Sequence, residues 1–383
     1  MSGGIVQLVA TGAQDTWLTG KPEVSFYRSS YKRYTHYAMS PERQLIQGNP
    51  AAGNISTIRF EKKGDLINYV YLTAKDSTGA VIPLVGWSNV IDKVELLIGG
   101  QIVDTQDITW MTKIEPITGA QNFSQRFLNN NTAGPTNTNA GFLPLKFFFC
   151  KDWNVSLPLV ALQYHDVEIR ITWSTALGTT VAGFTGLPSP APTYAQLQYE
   201  AWTNFVYLDQ AEREYFANTP MDLLITQLNR IPIGTQNMQE LALAHPIKFL
   251  AFSSNNYTAA YTGATAALPA VNYQFKTQIN GVDVGDSRSM LQWIDVPQYF
   301  HTPFGYNHGN ATANVALISY CLDTSKLQPT GTLNFSRIDT YRIVAPAGVS
   351  LSTLSGTAGN YFYAMNYNVL RIKDGMAGQL YSN

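Results

Sequence analysis

From Asp166 to Trp173 the chain alternates without a break. Asp166, Glu168, Arg170 and Thr172 fall on one side, and Val167, Ile169, Ile171 and Trp173 on the other. That period of two belongs to a strand whose successive side chains point to opposite faces, so a half-buried strand of an antiparallel sheet is expected from Tyr164 to Trp173. Just upstream, Leu143, Leu145 and Phe147–Phe148–Phe149 read as a strand covered on both faces. The two segments are expected to be neighbouring strands of one core. A chain carrying this pattern is constrained toward all-β architecture.

Further strand signals recur along the whole sequence. Ile55–Phe60 and Leu66–Ala74 flank Lys63–Gly64–Asp65, and Val90–Ile98 and Gln101–Val103 flank Gly99–Gly100, a two-residue hairpin signal. Leu197–Leu208 completes a first set of strands. In the second half, strands are expected at Leu223–Leu228, Ile247–Ser253, Tyr273–Ile279, Val315–Cys321, Arg337–Val344 and Tyr361–Ile372. Residues 107–127 suggest partial helix interrupted by Pro116. Between the halves, Asp209 offers an N-cap and Glu212, three residues on, the partner of a capping box. The helix is expected to run to about Ala217 and stop before Thr219–Pro220. Many short strands separated by turns favour a sandwich or jelly roll over an α/β fold, and 383 residues suit two such domains rather than one.

Long uncharged stretches lie between the strands, at 129–141, 174–193, 254–270, 301–313 and 345–360. Segments beyond about 12–15 residues without structure of their own are usually functional or disordered. Charged residues make up only 13% of the chain against 45% apolar, a balance that disfavours disorder and suits a surface covered by other protein. With a net charge of −1 and no Lys/Arg run beyond the short cluster Arg28, Lys32, Arg33, direct binding of nucleic acid is not expected. The N-terminus lacks a charged n-region, which points to synthesis in the cytosol. Cys150 and Cys321 lie far apart in no metal-type spacing and are expected as free structural thiols.

Motifs for catalysis are missing. Thr19–Pro22 (TGKP) fails as a phosphate loop, because Asp15 and Pro22 stand where Gly and Ser/Thr are needed. His301 and His308 share one segment without a Cys, Asp or Glu, so neither a metal site nor a cofactor is expected. His165 and Asp166 should point to opposite faces of a strand, which removes them as a catalytic pair. Of seven N-x-S/T sequons, Asn130, Asn256 and Asn310 lie in expected loops and are the candidates for glycosylation, whereas Asn154 and Asn334 sit beside strands. Tyr257, Tyr261 and Tyr306, in the loops, would suit sugar stacking. A carbohydrate-binding or glycan-cleaving β-sandwich is therefore a second reading of the chain.

Six blocks bear a family resemblance: the arm GGIVQLVATGAQDTWLTGKPEVSFYRSSYKRYTHYA, the Leu143–Trp173 segment, YLDQAEREYFA, AHPIKFLAF, QPTGTLNFSRID and MNYNVLRIKDGMAGQLYSN. Their order and spacing resemble the major capsid proteins of the nucleocytoplasmic large DNA viruses, especially those of algal viruses and iridoviruses. The resemblance implies a double jelly roll, two tandem eight-stranded β-sandwiches with a few short helices. Residues 1–25 would be an N-terminal arm, 26–208 the first jelly roll, 209–218 a linker helix holding Asp209, Glu212 and Arg213, and 219–383 the second jelly roll. It further implies a homotrimeric, nearly hexagonal capsomer that tiles an icosahedral shell, assembled in the host cytoplasm, with no enzymatic activity. The arm would face the inner side through Ile5, Val6, Leu8 and Trp17, toward minor capsid proteins and an inner membrane.

Overall fold

The computed structural model describes residues 2–10, 12–82, 85–119, 139–181, 191–253, 274–303, 315–355 and 360–381. Residues 1–36 form one unit and 37–383 another. The first unit holds a helix, Ser2–Val9, and a short second one, Thr16–Thr19. Its apolar side chains bury nothing of note. Ile5, Val6 and Leu8 are exposed, and Trp17 is 95% exposed.

The second unit contains two β-sandwiches. In the first, one sheet runs Tyr37–Gln44, Gln198–Leu208, Leu66–Lys75, Leu157–Pro158, with Phe142–Pro144 also paired to Leu66–Lys75. The facing sheet runs Ile46–Gln47, Ile55–Arg59, Val167–Trp173, Ile91–Ile98, Gln101–Asp107. In the second sandwich the order Met221–Pro232, Tyr361–Lys373, Pro246–Ser253, Val315–Ser319 faces the order Met238–Glu240, Tyr341–Val344, Gln274–Ile279, Val282–Ser289. The two sandwiches repeat one plan. The opening strand sits at an edge beside the closing long strand, and in each a hairpin (Ile91–Ile98 with Gln101–Asp107, Gln274–Ile279 with Val282–Ser289) leads directly into a helical segment. No residue-level repeat accompanies this plan, because a shared strand order constrains patterning rather than identity.

Val167–Trp173 alternates between buried and half-buried residues as expected, with Val167, Ile169, Ile171 and Trp173 in the core. Its neighbours are Ile55–Arg59 and Ile91–Ile98, whereas Phe142–Pro144 pairs in the opposite sheet. The expected neighbouring strands therefore face each other across the sandwich. Phe147–Phe149 is also not a strand: Phe148–Cys150 is a 3-10 turn with Phe147 extended before it. All three rings are buried, and Phe148 meets Phe149 edge-on at 5.4 Å while Phe147 stacks on Phe149 at 6.2 Å. With three residues per turn, successive side chains fan out in different directions, which lets three adjacent rings enter the core together.

The expected helix near 107 starts at Ile108 and runs through Trp110–Ile114 and Glu115–Thr118. Pro116 does not end it: the wider π turn Trp110–Ile114 stands just before Pro116, and the helical run continues to Thr118. Residues 345–360 are not all loop: Leu351–Ser355 is a helix that buries Leu351 and Leu354. Strands Tyr37–Gln44, Met238–Glu240, Val282–Ser289 and Met376–Gln379 were not expected, nor was the helix Met290–His301.

Candidate assembly surfaces

The sheet of Met221–Pro232, Tyr361–Lys373 and Pro246–Ser253 is covered on both faces. Ile247, Leu250, Phe252, Phe362 and Ala364 point into the second sandwich, while Phe249, Ala251, Tyr363 and Met365 join the core of the first. The first sandwich's apolar cluster thus extends over the outer face of the second's sheet, while the second keeps its own core, and burial of this kind is the main force holding them side by side. The first sandwich contributes the end of its hairpin and the helical segment that follows. Trp110 is fully buried, stacked on Phe249 at 6.1 Å and tilted against Tyr363 at 5.8 Å.

Polar groups at this junction are paired across it. Asp107 accepts from Trp110 N (2.8 Å) and from the Tyr363 hydroxyl (2.6 Å), with the Arg230 guanidinium 3.7 Å away. Asp104 accepts from Leu228 N at 2.9 Å and from Gln106 Nε2 at 2.7 Å. Burial pushes both carboxyls above their ordinary range, and burial also raises the Tyr363 phenol. Thr324 Oγ1 donates to Thr118 O at 2.9 Å, and Gln227 donates to Val103 O. A cavity of about 100 Å³ remains between the sandwiches, lined by Trp110, Lys151, Thr226, Lys248, Phe249 and Thr324 among others. Burial lowers the Lys151 and Lys248 ammonium groups, Lys248 to about 8.

Two glycine turns close the junction over Gln163–His165. Gly375 (φ +79°) accepts from Tyr164 N at 3.0 Å, and a side chain there would meet the Tyr164 ring at 2.6 Å. Gly99 (φ +58°) stands so close that a Cβ would lie 2.5 Å from His165 Nδ1. His165 itself accepts from Ala377 N at 3.2 Å, while Asp166 pairs with Arg59. The neighbouring His and Asp thus serve different contacts, as alternation requires.

Between the sandwiches, Asp209 caps the helix Gln210–Asn218 by accepting from Gln210 N at 2.8 Å. Glu212 stands in the first turn without closing the reciprocal box. Arg213 reaches Asp65 through Nε (2.9 Å) and Nη2 (3.1 Å), and Asp65 also accepts from Leu208 N. The helix is thereby pinned to the first sandwich at the end of its last strand. Asn154 and Asn334 take local structural roles, Asn154 bonded to Asp152 and Asn334 capping a 3-10 turn. Asn130, Asn256, Asn310, His308, Tyr257, Tyr261 and Tyr306 lie outside the described residues. Cys150 and Cys321 are free and buried, and burial pushes the Cys150 thiol up to about 12. Among the described residues, no cluster of three or more His, Cys, Asp or Glu side chains is placed to hold a metal, and no helix is long and apolar enough to cross a membrane. The residues of the junction itself, Asp104, Asp107, Trp110 and Tyr363, carry no motif. The one local signal was Asp107 just before an apolar helical stretch.

Two sandwiches of one plan, joined through a shared core, define a double jelly-roll protein. The N-terminal domain of major capsid proteins matches residues 25–209, and the major capsid protein domain of large eukaryotic DNA viruses matches residues 212–378. The chain belongs to the major capsid protein family of the large eukaryotic DNA viruses. It is 32% identical to the major capsid protein of Paramecium bursaria Chlorella virus 1 and 29% identical to that of Pyramimonas orientalis virus, each alignment covering all of both chains. It is 25% identical to the Wiseana iridescent virus protein over 66% of this chain and 61% of that one. The crystal structure of PBCV-1 VP54 superposes with a TM-score of 0.70 at 26% identity, covering 94% of this chain and 100% of that one. The Faustovirus major capsid protein shares the fold, with a TM-score of 0.58 at 10% identity over 95% and 94% of the two chains. The protein is thus a structural component of a virion capsid. None of these likenesses supports the carbohydrate-binding or glycan-cleaving alternative.

Proposed function

We propose that three copies of this chain close into a ring of six lobes, a nearly hexagonal capsomer that tiles the facets of an icosahedral shell beside neighbouring capsomers. The observation that carries this reading is the repetition of one strand order in two sandwiches fused side by side. Two similar lobes per chain and three chains give a quasi-sixfold ring by closed symmetry with heterologous contacts. In this reading residues 26–208 and 219–383 are the lobes, 209–218 the linker helix, and 1–25 the arm. The role is scaffolding rather than catalysis, without direct contact to nucleic acid, and assembly takes place in the host cytoplasm.

The arm faces the inner side of the shell, toward minor capsid proteins and an underlying membrane. Its exposed apolar residues Ile5, Val6, Leu8 and Trp17 support this, because such side chains gain by burial against another surface. Asn130, Asn256 and Asn310 are the positions for glycans. Deleting residues 2–20 tests the arm: trimers should persist while shells fail or close abnormally, and normal shells from the truncated chain would refute its role. Intact-mass measurement of the virion protein tests the glycans.

A further inference from the structure

The cavity between the sandwiches brings together two lysines from different lobes. Lys151 comes from the first, at the end of the 3-10 turn Phe148–Cys150. Lys248 comes from the second, on the strand Pro246–Ser253. It is the extra residue of a β-bulge: Ile247 stands opposite Asn366 and Phe249 opposite Met365. A bulge re-aims side chains, and here Lys248 and Phe249 line the cavity together. Lys248 is only 4% exposed.

Buried charges are normally paired. Lys248 Nζ donates to Lys326 O at 2.9 Å and lies 5.8 Å from the centre of the Tyr367 ring, but it forms no ion pair among the described residues. Lys151 Nζ donates to Thr226 Oγ1 at 3.4 Å, which leaves the Thr226 hydroxyl its own proton to give. Two carboxylates also line the cavity. Glu115 is engaged by Lys146 at 3.5 Å, and Asp152 accepts from the amide and the side chain of Asn154. Lys151 feels Glu115 and Asp104 on one side of the balance and Lys146 on the other. Burial lowers both ammonium groups, and the charge of Lys151 lowers Lys248 further. What the pair lacks is a negative charge between the lobes.

The space for one is present. A single water needs about 10–15 Å³ of such a cavity, so about 100 Å³ admits an ion of halide size with a few waters. An entry exists where the wall reaches the surface, since Lys326 lines the cavity and its side chain is 65% exposed.

We propose that this cavity binds a small inorganic anion of halide size, held by the Lys151 and Lys248 ammonium groups and the Thr226 hydroxyl, and that the bound ion clamps the two lobes together. Lys151 belongs to one lobe and Lys248 and Thr226 to the other, so the ion bridges them within a single chain. The site does not depend on how many chains assemble.

The test is urea unfolding of the full chain at pH 7 and one fixed protein concentration, with bromide replacing bulky gluconate at constant ionic strength. For a site with a Kd of about 10 mM, the folding equilibrium constant of the wild type should rise about fivefold between about 10 and about 100 mM bromide. Lys248→Met removes a buried charge and should remain folded; its bromide dependence should be flat. Lys373→Met, at a side chain 62% exposed, should respond to bromide as the wild type does. Crystals soaked in sodium bromide should show an anomalous peak between Lys151 and Lys248. Equal bromide dependence in wild type and Lys248→Met overturns the proposal, and so does bromide found only on the surface of the crystallised protein. Either failure leaves the trimeric reading untouched.

Discussion

Replacing Trp110 by alanine tests whether the two lobes are held by one core. Trp110 is fully buried between Phe249 and Tyr363, on a segment of the first lobe against a sheet of the second. A tryptophan buries up to about 250 Å², and at about 25 cal/mol per Å² its gross contribution is about 6 kcal/mol, of which alanine retains a part. Two aromatic contacts add about 1 kcal/mol each. Against this, Trp110 Nε1 is buried without a partner, which already costs about 1 kcal/mol in the native protein. With alanine retaining about 2 kcal/mol of the burial, the net expectation is a loss of about 5 kcal/mol, at the top of the usual 3–5 kcal/mol for such truncations. Trp110→Phe keeps a ring and removes the orphaned N–H, so it should cost only about 1–2 kcal/mol. The assay is equilibrium urea unfolding at one fixed protein concentration, since association adds to apparent stability. Trp153→Ala, at a site 80% exposed, is the control and should change little. If Trp110→Ala cost under about 1 kcal/mol, the shared core would not be what joins the lobes.

Other expectations concern the polar groups around that core. Tyr363→Phe removes the 2.6 Å bond to the buried Asp107 and should cost about 1–3 kcal/mol in urea unfolding, whereas no change would show that Trp110 N and Arg230 satisfy Asp107 unaided. Lys248, depressed from 10.5 to about 8 by burial, is harder to protonate folded than unfolded; its penalty is complete below about pH 8 and disappears as pH rises through 10.5. Removing this penalty of about 3 kcal/mol while losing the bond to Lys326 O, worth about 1 kcal/mol, Lys248→Met should be more stable than wild type at pH 7 by about 2 kcal/mol, with the gain shrinking toward pH 10.5, and a difference that grew with pH would contradict the assignment. Gly375→Ala forces a side chain into a left-handed turn and the Tyr164 ring, so a loss of about 2–3 kcal/mol is expected by thermal or urea unfolding, against almost none for Gly378→Ala, which meets open space.

Strands that bury one face announced themselves. Val167–Trp173 alternates because one side lies in a core, and Gly99–Gly100 marks the hairpin of Ile91–Ile98 with Gln101–Asp107 because both residues need positive φ. Val282–Ser289 gave no such signal. Exposed on nearly every residue, VDVGDSRS has no buried side to create alternation. Tyr37–Gln44 was hidden for a similar reason, being an edge strand carrying Pro41, Glu42 and Arg43. Phe147–Phe149 misled because three adjacent apolar residues look alike in a covered strand and in a tight buried turn. The junction was the least legible part. Asp107 and Tyr363 are brought together only by the folded chain, and each alone is an ordinary polar residue near a strand end. The family resemblance, spread over blocks from the arm to the C-terminus, carried what local patterning did not.

The mass of the purified protein in solution, by size exclusion with light scattering, bears on the whole account at once. Three copies of a 42.3 kDa chain should give a single species of about 127 kDa, stable to dilution into the nanomolar range as a large apolar interface demands. A species of 42.3 kDa, or one that dissociates at micromolar concentration, would contradict the account.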